Sequence, residues 1–210
     1  MNLEISRLHH PVTALGPGVR AGIWVQGCTI GCHGCLARDT WERRPERALP
    51  VAEILGWLAG LPRPLDGVTV SGGEPLQQAA AVADLLAGIH EWRGAQPLDV
   101  LLFTGYPWSR AARETAVVER CDAVVAGPYV ARRNRGDVPL RGSDNQRVVA
   151  LTALGRARYG PGVKLPARGL QASVADGRIW FVGIPRAGDL ERVAAGLTAR
   201  DVRVGGTTWD

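Results

Sequence analysis

Apolar residues recur along the chain with the two periods that mark strands and helices, and the two kinds of segment alternate. Short apolar runs predict strands, and longer runs with apolar residues three and four apart predict helices. We predict strands at residues 3–8 (an edge strand), 21–25, 68–71, 99–103 and 123–126, and helices at 50–61, 76–93 and 109–119, the last capped by Ser109. Alternating strands and helices imply a parallel sheet with crossover helices, so the predicted fold class is α/β.

The pattern changes after residue 150. Residues 170–174 and 178–182 flank Ala175-Asp176-Gly177 and predict a hairpin, followed by a helix over 190–199 and a strand over 202–204. We expect residues 1–150 to form the core and residues 151–210 to form a small C-terminal αβ extension packed on the same domain. The extension is expected to add strands to the edge of the sheet.

Three glycine-containing segments follow three of the predicted strands. Gly27 to Cys35 follows the strand at 21–25, Gly72-Gly73-Glu74 follows the strand at 68–71, and Thr104-Gly105-Tyr106 follows the strand at 99–103. Open parallel sheets bind ligands at the carboxyl ends of their strands. The three segments are therefore predicted to form one shared site.

Composition and charge add limits to this prediction. The chain has 210 residues, 46% of them hydrophobic and 21% charged, as in ordinary globular proteins. The net charge of +5 comes from arginine, since Lys164 is the only lysine, and does not by itself indicate nucleic-acid binding. No run of apolar residues suggests a signal peptide or a membrane span, so a cytoplasmic protein without membrane contact is expected. Five arginines in the long loop 127–147 fit either a solvated basic loop or a surface for a protein partner.

The cysteines suggest a metal centre. Cys28, Cys32 and Cys35 are spaced Cys-x3-Cys-x2-Cys, and clustered cysteines without a secretory signal favour a metal over disulfides. Structural zinc sites and ferredoxin clusters take four protein ligands, so three cysteines leave one position open to a substrate. The alternative is a zinc knuckle completed by His33 or Cys121. We expect Cys121 to be an inert buried thiol and the other site candidates His33, His9 and His10 to face solvent.

This spacing resembles the cluster loop of the radical S-adenosylmethionine superfamily. Further segments, at 16–20 (Gly-Pro-Gly-Val-Arg), 40–41 (Thr-Trp), 71–75 (Ser-Gly-Gly-Glu-Pro), 103–106 (Phe-Thr-Gly-Tyr), 127–129 (Gly-Pro-Tyr) and 141–147 (Arg-Gly-Ser-Asp-Asn-Gln-Arg), follow in the order seen in the activating proteins of anaerobic ribonucleotide reductase. The resemblance covers roughly residues 10–150. It implies a partial, open (β/α) barrel with mostly parallel strands.

The resemblance also implies cofactors and roles. Cys28, Cys32 and Cys35 would hold a [4Fe–4S] cluster with one open iron, and S-adenosyl-L-methionine would bind there and be cleaved reductively to a 5′-deoxyadenosyl radical. The implied cofactor-binding residues are Gly34, Cys35, Leu36, Ser71, Gly72, Gly73, Glu74, Thr104, Gly105 and Tyr106.

Two of these residues could have structural roles instead of binding the cofactor. Glu74 alternatively serves as an acid at a helix start, and Tyr106 as a core residue, although Thr104-Gly105 is expected to leave the backbone open for a ribose. Substituting Gly73 by valine is expected to block the cofactor while sparing the cluster.

The implied partner is a glycyl-radical enzyme that receives the radical, with a flavodoxin or ferredoxin-type protein as reductant. Two positions depart from the family: Ala37 stands where the activases usually have asparagine, and Ala126 where they tend to have aspartate. These departures leave the polypeptide substrate open. The alternatives are a radical S-adenosylmethionine enzyme that modifies a small molecule or peptide, and a non-catalytic zinc or iron–sulfur module.

Overall fold

A computed structural model describes residues 1–135, 138–175, 178–203 and 206–207. Its strands are β1 (Asn2–Val12), β2 (Arg20–Val25), β3 (Ala48–Pro50), β4 (Gly67–Gly72), β5 (Asp99–Thr104), β6 (Ala123–Ala126), β7 (Arg147–Ala150), β8 (Leu170–Ala175) and β9 (Arg178–Gly183). Its helices are α1 (Val51–Ala59), α2 (Ala79–Arg93), α3 (Trp108–Ala111), α4 (Thr115–Val118), α5 (Ala153–Tyr159) and α6 (Asp189–Thr198).

Seven strands form one open sheet in the order β3-β1-β2-β4-β5-β6-β7. The four central strands β2, β4, β5 and β6 run parallel, whereas β1, β3 and β7 are antiparallel to their neighbours. The parallel strands are the four predicted from apolar runs with helices between them. The predicted α/β class with an open, mostly parallel sheet is therefore confirmed, and the described residues form no closed barrel.

The strand register places the three glycine-containing segments at one edge. Arg20 of β2 pairs with Gly67 of β4, which pairs with Asp99 of β5, so the three strands start at the same level. Because the strands are parallel, the segments that follow β2, β4 and β5 all emerge at the opposite, carboxyl edge. The predicted convergence of the three segments is thus a feature of the fold.

Each face of the sheet is covered by a different part of the chain. On one face, residues of α1 and α2 such as Ile54, Leu85 and Ile89 are fully buried against the central strands. Burying such a side chain contributes about 1.5–3 kcal/mol, so this layer supplies most of the core. On the other face, C-terminal residues pack on the strands: Tyr159 joins a cluster with Leu101 and Val125, and Val182 joins one with Val12, Leu15, Trp24 and Phe103.

The amino ends of the strands carry a buried ionic network. Arg20, which is fully buried, donates from its two terminal nitrogens to the carboxylate of Asp99 at 3.0 and 2.8 Å and from Nε to Thr69 Oγ1 at 2.7 Å. The Tyr159 hydroxyl donates to Asp99 at 2.6 Å, and Arg158 donates to the same carboxylate. The segment 16–20, one of those that carry the family resemblance, therefore serves at the end of the sheet opposite the cysteine loop.

The first strand is longer and less peripheral than predicted. It spans Asn2–Val12 instead of residues 3–8, and β3 pairs with its outer side through Leu3 and Leu49. The prediction of an edge strand is wrong because the short Ala48–Pro50 segment, too short to stand out as a strand, takes the edge.

The helix predicted over residues 109–119 is also wrong in its start and its continuity. Pro107 occupies the cap position with extended backbone angles, so the first turn begins at Trp108 and Ser109 lies inside it. The turn ends at Ala111, and a second short helix begins only at Thr115. Pro107 O accepts from Arg110 N and Ala111 N at 2.9 and 3.0 Å, which closes the first turn ahead of the serine.

The C-terminal region differs from the expectation in how it is attached. Strands β8 and β9 form the predicted hairpin, but as a separate two-stranded sheet rather than as added strands of the main sheet. Gln171 ties the hairpin to the end of β1: its Oε1 accepts from Thr13 N at 2.9 Å and its Nε2 donates to Pro11 O at 2.7 Å. Helix α6 matches the prediction, whereas β7 and α5 were not predicted.

Two remaining predictions fall at the margins of the described residues. The predicted hairpin turn at 176–177 lies outside them. Of the predicted strand 202–204, residues 202 and 203 are not in a strand and residue 204 lies outside the described residues. Within the part of the chain that the structure describes, no helix has the length and apolar character needed to cross a membrane.

Candidate functional site

The cysteine loop leaves the end of β2 and is held at its base by backbone hydrogen bonds. Gly27 N donates to Thr40 O at 2.7 Å, and Cys28 N donates to Trp41 O at 2.9 Å. The Thr40-Trp41 segment of the family resemblance thus fixes the start of the loop. Within the loop, Cys35 N donates to Cys32 O at 3.0 Å, which closes a turn around the last two cysteines.

Glycines allow the loop to reverse direction between the thiols. Gly31 and Gly34 have φ values of 63° and 75°, in the left-handed region that costs a side-chain-bearing residue energy. These two positions of the cysteine loop therefore adopt a backbone geometry for which glycine is suited.

The three loop thiols are half-buried and unpaired with one another by disulfides. Burial raises the pKa of Cys28 and Cys32, while backbone N–H groups directed at the sulfurs act against it: those of Ile30 and Gly31 at Cys28, and that of Tyr129 at Cys32. N–H groups aimed at sulfur stabilise the thiolate, which is the form that binds a metal. The donor set and its surroundings fit an iron–sulfur cluster held by three cysteines.

The same residues fit a single zinc ion less well than they fit an iron–sulfur cluster. Among the described residues, the three loop cysteines included, no group of three His, Cys, Asp or Glu side chains lies close enough together to hold a single metal ion. Cys121 is 1% exposed, its thiol is directed at Val117 O at 3.4 Å, and burial strongly raises its pKa. His33 is exposed. The expected burial of Cys121 and exposure of His33 are confirmed.

His9 and His10 are not the surface residues that were expected. Both are half-buried on β1, and burial lowers the pKa of each. Each has an Nε2 that is buried without a hydrogen-bond partner in the described part of the chain. The neutral form that burial favours carries a smaller desolvation cost.

Glu74 joins the ends of β4 and β5 through its carboxylate. The side chain is fully buried, and its Oε1 accepts from Leu76 N at 3.0 Å and from Thr104 Oγ1 at 2.7 Å. Its Oε2 accepts from Gly105 N at 2.7 Å. Burial raises the pKa of Glu74, and these hydrogen bonds oppose the rise. The carboxylate thus acts as the cap of the short helical turn Pro75–Gln78, which is the alternative reading of this residue, and it also fixes the Thr104-Gly105 segment.

Gly73 packs against the base of the cysteine loop. A Cβ at this position would lie 2.3 Å from Gly27 O and 3.0 Å from Thr40 O. Glu74 N also donates to Gly27 O at 2.9 Å, so the two segments are in direct backbone contact. This geometry argues against the expectation that a side chain at Gly73 would spare the cluster, because the side chain would displace the loop that carries Cys28.

The Thr104-Gly105-Tyr106 segment meets the same loop from the other side. A Cβ on Gly105 would lie 2.6 Å from Ile30 Cδ1, so the backbone there is covered by the cysteine loop instead of open as expected. Tyr106 is half-buried, its N donates to Thr104 Oγ1 at 3.1 Å, and the Arg110 guanidinium lies 3.4 Å from its ring centroid.

The remaining predicted residues lie further around the site. Ser71 is half-buried near the end of β4, in register with Trp24 of β2. Leu36 is 36% exposed, just after the last cysteine. Gly34 lies toward the loop 127–147: a Cβ there would be 3.4 Å from both Tyr129 and Ala131. The three segments therefore meet around Gly27, Ile30 and Glu74, and Tyr129 and Ala131 lie beside the cysteine loop at Gly34.

Two contributors to the site were not predicted. Gln77 hydrogen-bonds both Thr29 and Tyr106, and the Tyr129 ring fits between Gly34 and Gly142. Tyr129 belongs to the 127–129 segment of the family resemblance but was given no role, and no pattern of residue types marked Gln77. Gln77 lies three residues after Glu74, within reach of the site through the short helical turn, and that proximity was the available signal.

Comparisons with known proteins agree with this arrangement. Residues 14–149 match the family model described as a 4Fe–4S single cluster domain. The chain is 30% identical to the anaerobic ribonucleoside-triphosphate reductase-activating protein of Enterobacteria phage T4 over 139 residues, which are 63% of this chain and 85% of the relative. It is 30% identical to the protein of the same name from Escherichia coli (strain K12) over 146 residues, which are 67% of this chain and 94% of the relative.

Two further similarities cover smaller parts of the chain. The pyruvate formate-lyase-activating enzyme of Staphylococcus aureus (strain USA300) is 38% identical over 84 residues, covering 38% of this chain and 34% of that enzyme. Among solved structures, QueE from Escherichia coli matches with a TM-score of 0.42 and 20% identity, covering 50% of this chain and 53% of that chain.

Proposed function

The chain belongs to the radical S-adenosylmethionine superfamily, in the 4Fe–4S single-cluster family of glycyl-radical-enzyme activating proteins, and on this premise we propose that it cleaves S-adenosyl-L-methionine to start a radical reaction on a partner enzyme. The observation that carries the proposal is the placement of a three-cysteine loop at the carboxyl edge of the parallel strands, in contact with the segments after β4 and β5. The proposed activity is that of an oxidoreductase.

We assign Cys28, Cys32 and Cys35 as ligands of the [4Fe–4S] cluster. The cofactor site consists of residues 34–36, 71–74 and 104–106. When bound and reduced, the cluster and S-adenosylmethionine supply the one-electron cleavage that yields methionine and a 5′-deoxyadenosyl radical. The protein's own part is to hold the thiolates, to orient the cofactor and to limit water at the site.

The chain's residues fit that part in specific ways. Backbone N–H groups act against the rise in pKa that burial causes at Cys28 and Cys32. Glu74, buried between two strand ends, fixes Thr104 and Gly105 relative to the cysteine loop. Its carboxylate would be a favourable partner for an ammonium group of the cofactor. Rigid placement of the two cofactor segments is what radical generation requires, since misplacement by about 1 Å can be costly to rate.

The substrate is a glycine presented by a partner polypeptide, and two observations support this. The relatives named above are activating proteins of anaerobic ribonucleoside-triphosphate reductase and pyruvate formate-lyase. In addition, the sheet face opposite α1 and α2 is filled by the chain's own C-terminal residues such as Tyr159 and Val182, while the cysteine loop stays half-exposed. A glycine loop of a partner would approach the site from the carboxyl edge.

The departures at Ala37 and Ala126 leave the identity of the partner open. Ala126 is 2% exposed at the end of β6, so this position contributes to the core instead of offering a carboxylate. Ala37 O accepts from both the backbone N and the Oγ1 of Thr40, at 3.0 and 2.6 Å, so it shapes the turn after the cysteine loop. A small-molecule or peptide substrate is the second candidate function, favoured only by these two departures.

We further propose a cytoplasmic protein that takes electrons from a flavodoxin or ferredoxin-type donor. Its core would span residues 1–150 and its extension residues 151–210, within one domain. The extension lies beyond the matched family segment and packs on β1, β2 and β5 through Val182.

Cofactor cleavage is tested by incubating the anaerobically reconstituted protein with S-adenosylmethionine and dithionite and measuring 5′-deoxyadenosine. We expect product in the unsubstituted protein and in Cys121→Ala, and none in Cys28→Ala. Absence of 5′-deoxyadenosine from protein that carries a full cluster would contradict the cleavage step.

The choice of substrate is tested by adding candidate glycyl-radical enzymes of the same organism. A doublet radical signal on the partner, followed by cleavage of the partner at that glycine on exposure to oxygen, is the expected result. If every such enzyme stays silent while 5′-deoxyadenosine still forms, the second candidate function takes the place of the first.

A further inference from the structure

Gln77 connects the cysteine loop to the segment after β5. Its Oε1 accepts from Thr29 N at 3.1 Å, and its Nε2 donates to Thr29 Oγ1 at 2.7 Å. The same Nε2 donates to the Tyr106 hydroxyl at 3.0 Å. Thr29 directly follows Cys28, so one amide side chain spans the distance between a proposed cluster ligand and a proposed cofactor segment.

Both ends of this connection rest on fixed structure. Gln77 lies in the turn Pro75–Gln78, where its backbone N donates to Glu74 O at 3.0 Å and the neighbouring Leu76 is buried. Tyr106 is held by its backbone bond to Thr104 Oγ1 and by the Arg110 guanidinium stacked on its ring. Thr29, by contrast, lies in a glycine-rich loop without regular secondary structure. The side chain therefore transmits the rigidity of the β4 and β5 ends to the loop.

We propose that Gln77 is a positioning residue that fixes the Cys28 side of the cluster loop and couples it to Tyr106 of the cofactor segment. This inference rests on the proposed function, since it assigns a role within the same site. Cofactor bound at residues 104–106 would then affect the cluster through Tyr106, Gln77 and Thr29, in addition to any direct contact with iron. Gln77 is not one of the assigned cluster or cofactor residues, so its proposed effect passes through Thr29 and Tyr106.

The chemistry of the three hydrogen bonds suggests two contrasting variants. Gln77→Met keeps the length of the side chain and removes both polar ends. Gln77→Glu keeps all three contacts, because its carboxylate accepts from Thr29 N and the hydroxyls of Thr29 and Tyr106 can turn to donate. A role that depends on the hydrogen bonds is therefore lost in the first variant and retained in the second.

Gln171 is a matched control at a distant place. It holds Thr13 as Gln77 holds Thr29: its Oε1 accepts from Thr13 N at 2.9 Å and from Thr13 Oγ1 at 3.2 Å, and its Nε2 donates to Pro11 O at 2.7 Å. Its contacts with Thr13 are exposed, as are those of Gln77 with Thr29. Gln171→Met therefore removes the same kind of hydrogen bonds from the hairpin and leaves the cysteine loop untouched.

The first measurement is hydrogen–deuterium exchange of the segment that contains Thr29, on the full-length anaerobically prepared protein. With each lost hydrogen bond weakening protection modestly, Gln77→Met should exchange at Thr29 about tenfold faster. Gln77→Glu and Gln171→Met should exchange there as the unsubstituted protein does. Unchanged exchange in Gln77→Met, or an equal rise in Gln77→Glu or Gln171→Met, would overturn the proposal.

The second measurement tests the coupling to the cofactor segment. Tyr106→Phe removes only the far anchor, so Thr29 exchange should rise by less than in Gln77→Met, and iron release to a chelator should quicken in the same order. In the reduced protein, the change that S-adenosylmethionine causes in the electron paramagnetic resonance spectrum should shrink in Gln77→Met and return in Gln77→Glu. Equal spectra in all three proteins would refute the coupling.

These readouts separate the inference from the function on which it rests. Exchange at Thr29 and iron release require no cleavage of the cofactor. A protein that forms no 5′-deoxyadenosine but shows the predicted order of exchange rates would refute the proposed reaction and leave the positioning role standing.

Discussion

The two ends of strands β2, β4 and β5 are built from different kinds of interaction. At the amino end, Arg20 and Asp99 form a fully buried ion pair to which Thr69, Tyr159 and Arg158 are hydrogen-bonded. The carboxyl end consists of a glycine-rich loop that carries three half-buried thiols. Neighbouring segments hold this loop by hydrogen bonds. One end is closed by charge and hydrogen bonding, and the other is left able to receive a ligand.

This contrast teaches how the chain supports an irregular site. The ion pair joins the first residue of β2 to the first residue of β5 across β4, and so fixes the relative level of three strands. Once that level is fixed, the segments at the far ends meet without needing regular structure of their own. Stability and ligand chemistry are thus placed at opposite ends of the same strands.

The largest expected effect is at the carboxyl end. Replacing Cys28, Cys32 or Cys35 by alanine should abolish the cluster altogether, since three ligands leave none to spare. Iron and sulfide analysis after anaerobic reconstitution should give about four irons per chain for the unsubstituted protein. Cys121→Ala is the control, because its buried thiol lies on the helix-covered side of the sheet. Loss of the cluster in that variant would mean four protein ligands and no open iron.

The next largest effect is at the amino end. Asp99→Ala leaves the buried guanidinium of Arg20 without its counter-charge, which should lower the free energy of unfolding by about 3–5 kcal/mol. Glu42→Ala, which removes the exposed partner of Arg44, should change it by about 0–1 kcal/mol. Urea unfolding of the metal-free proteins measures both. A loss for Asp99→Ala no greater than that for Glu42→Ala would remove the contrast between the two ends.

Lowering the pH should reduce the free energy of unfolding gradually, through the ion pair at the amino end, and by less than Asp99→Ala does. Burial alone would raise the pKa of Asp99, but the hydrogen bond and charge of Arg20 outweigh it and hold that pKa below its ordinary value. The ion pair therefore contributes stability that is fully present above about pH 4, the unfolded value, and is lost as the pH falls through the folded pKa. Unfolding of the metal-free protein between neutral pH and about pH 3 should show this loss, and Asp99→Asn should flatten it.

The smallest of these effects comes from a single methyl group placed where the two segments touch. In Gly73→Ala the new Cβ would lie 2.3 Å from Gly27 O, so the loop base must shift, at a cost of about 1–3 kcal/mol. Lower iron content should accompany the loss of stability. Gly56→Ala is the matched control in α1: its Cβ meets nothing within 4 Å, and it should raise stability by about 0.5–1 kcal/mol. Equal behaviour of the two variants would show that Gly73 does not support the loop.

Much of the fold could be predicted because the central strands are apolar runs bounded by glycines. β2, β4, β5 and β6 were each predicted within about two residues of their observed ends. The sheet rule then placed the segments that follow β2, β4 and β5 at one edge. Prediction worked where local residue pattern and tertiary position agree.

The failures come from contacts between distant parts of the chain. β1 was placed at the edge because the three-residue strand β3 has no pattern of its own and is defined only by its pairing with Leu3 and its neighbours. The hairpin of β8 and β9 was expected on the sheet edge, yet Val182 packs on a face of the sheet instead. Neither relation can be read from periodicity, which reports burial and not the partner.

In the site, too, some residues could be predicted from the sequence and others could not. The residue types of the cysteine loop and of Gly72-Gly73-Glu74 point to their chemistry, and their assigned roles remain predictions. Gln77 and the Ile30 side chain over Gly105 have no such marker, because what matters about them is where the fold puts them. Sequence reasoning therefore indicated the chemistry of the site, and the structure added the residues that position it.

The central claim is that the carboxyl end of these strands holds a cluster with one iron free for S-adenosylmethionine. Its most direct test is the electron paramagnetic resonance spectrum of the reduced, reconstituted protein recorded with and without the cofactor. The account predicts a [4Fe–4S] signal that changes on addition of S-adenosylmethionine, in the unsubstituted protein and equally in Cys121→Ala. A signal that the cofactor leaves unchanged would contradict it, because the cluster would then have no open iron within reach of the cofactor.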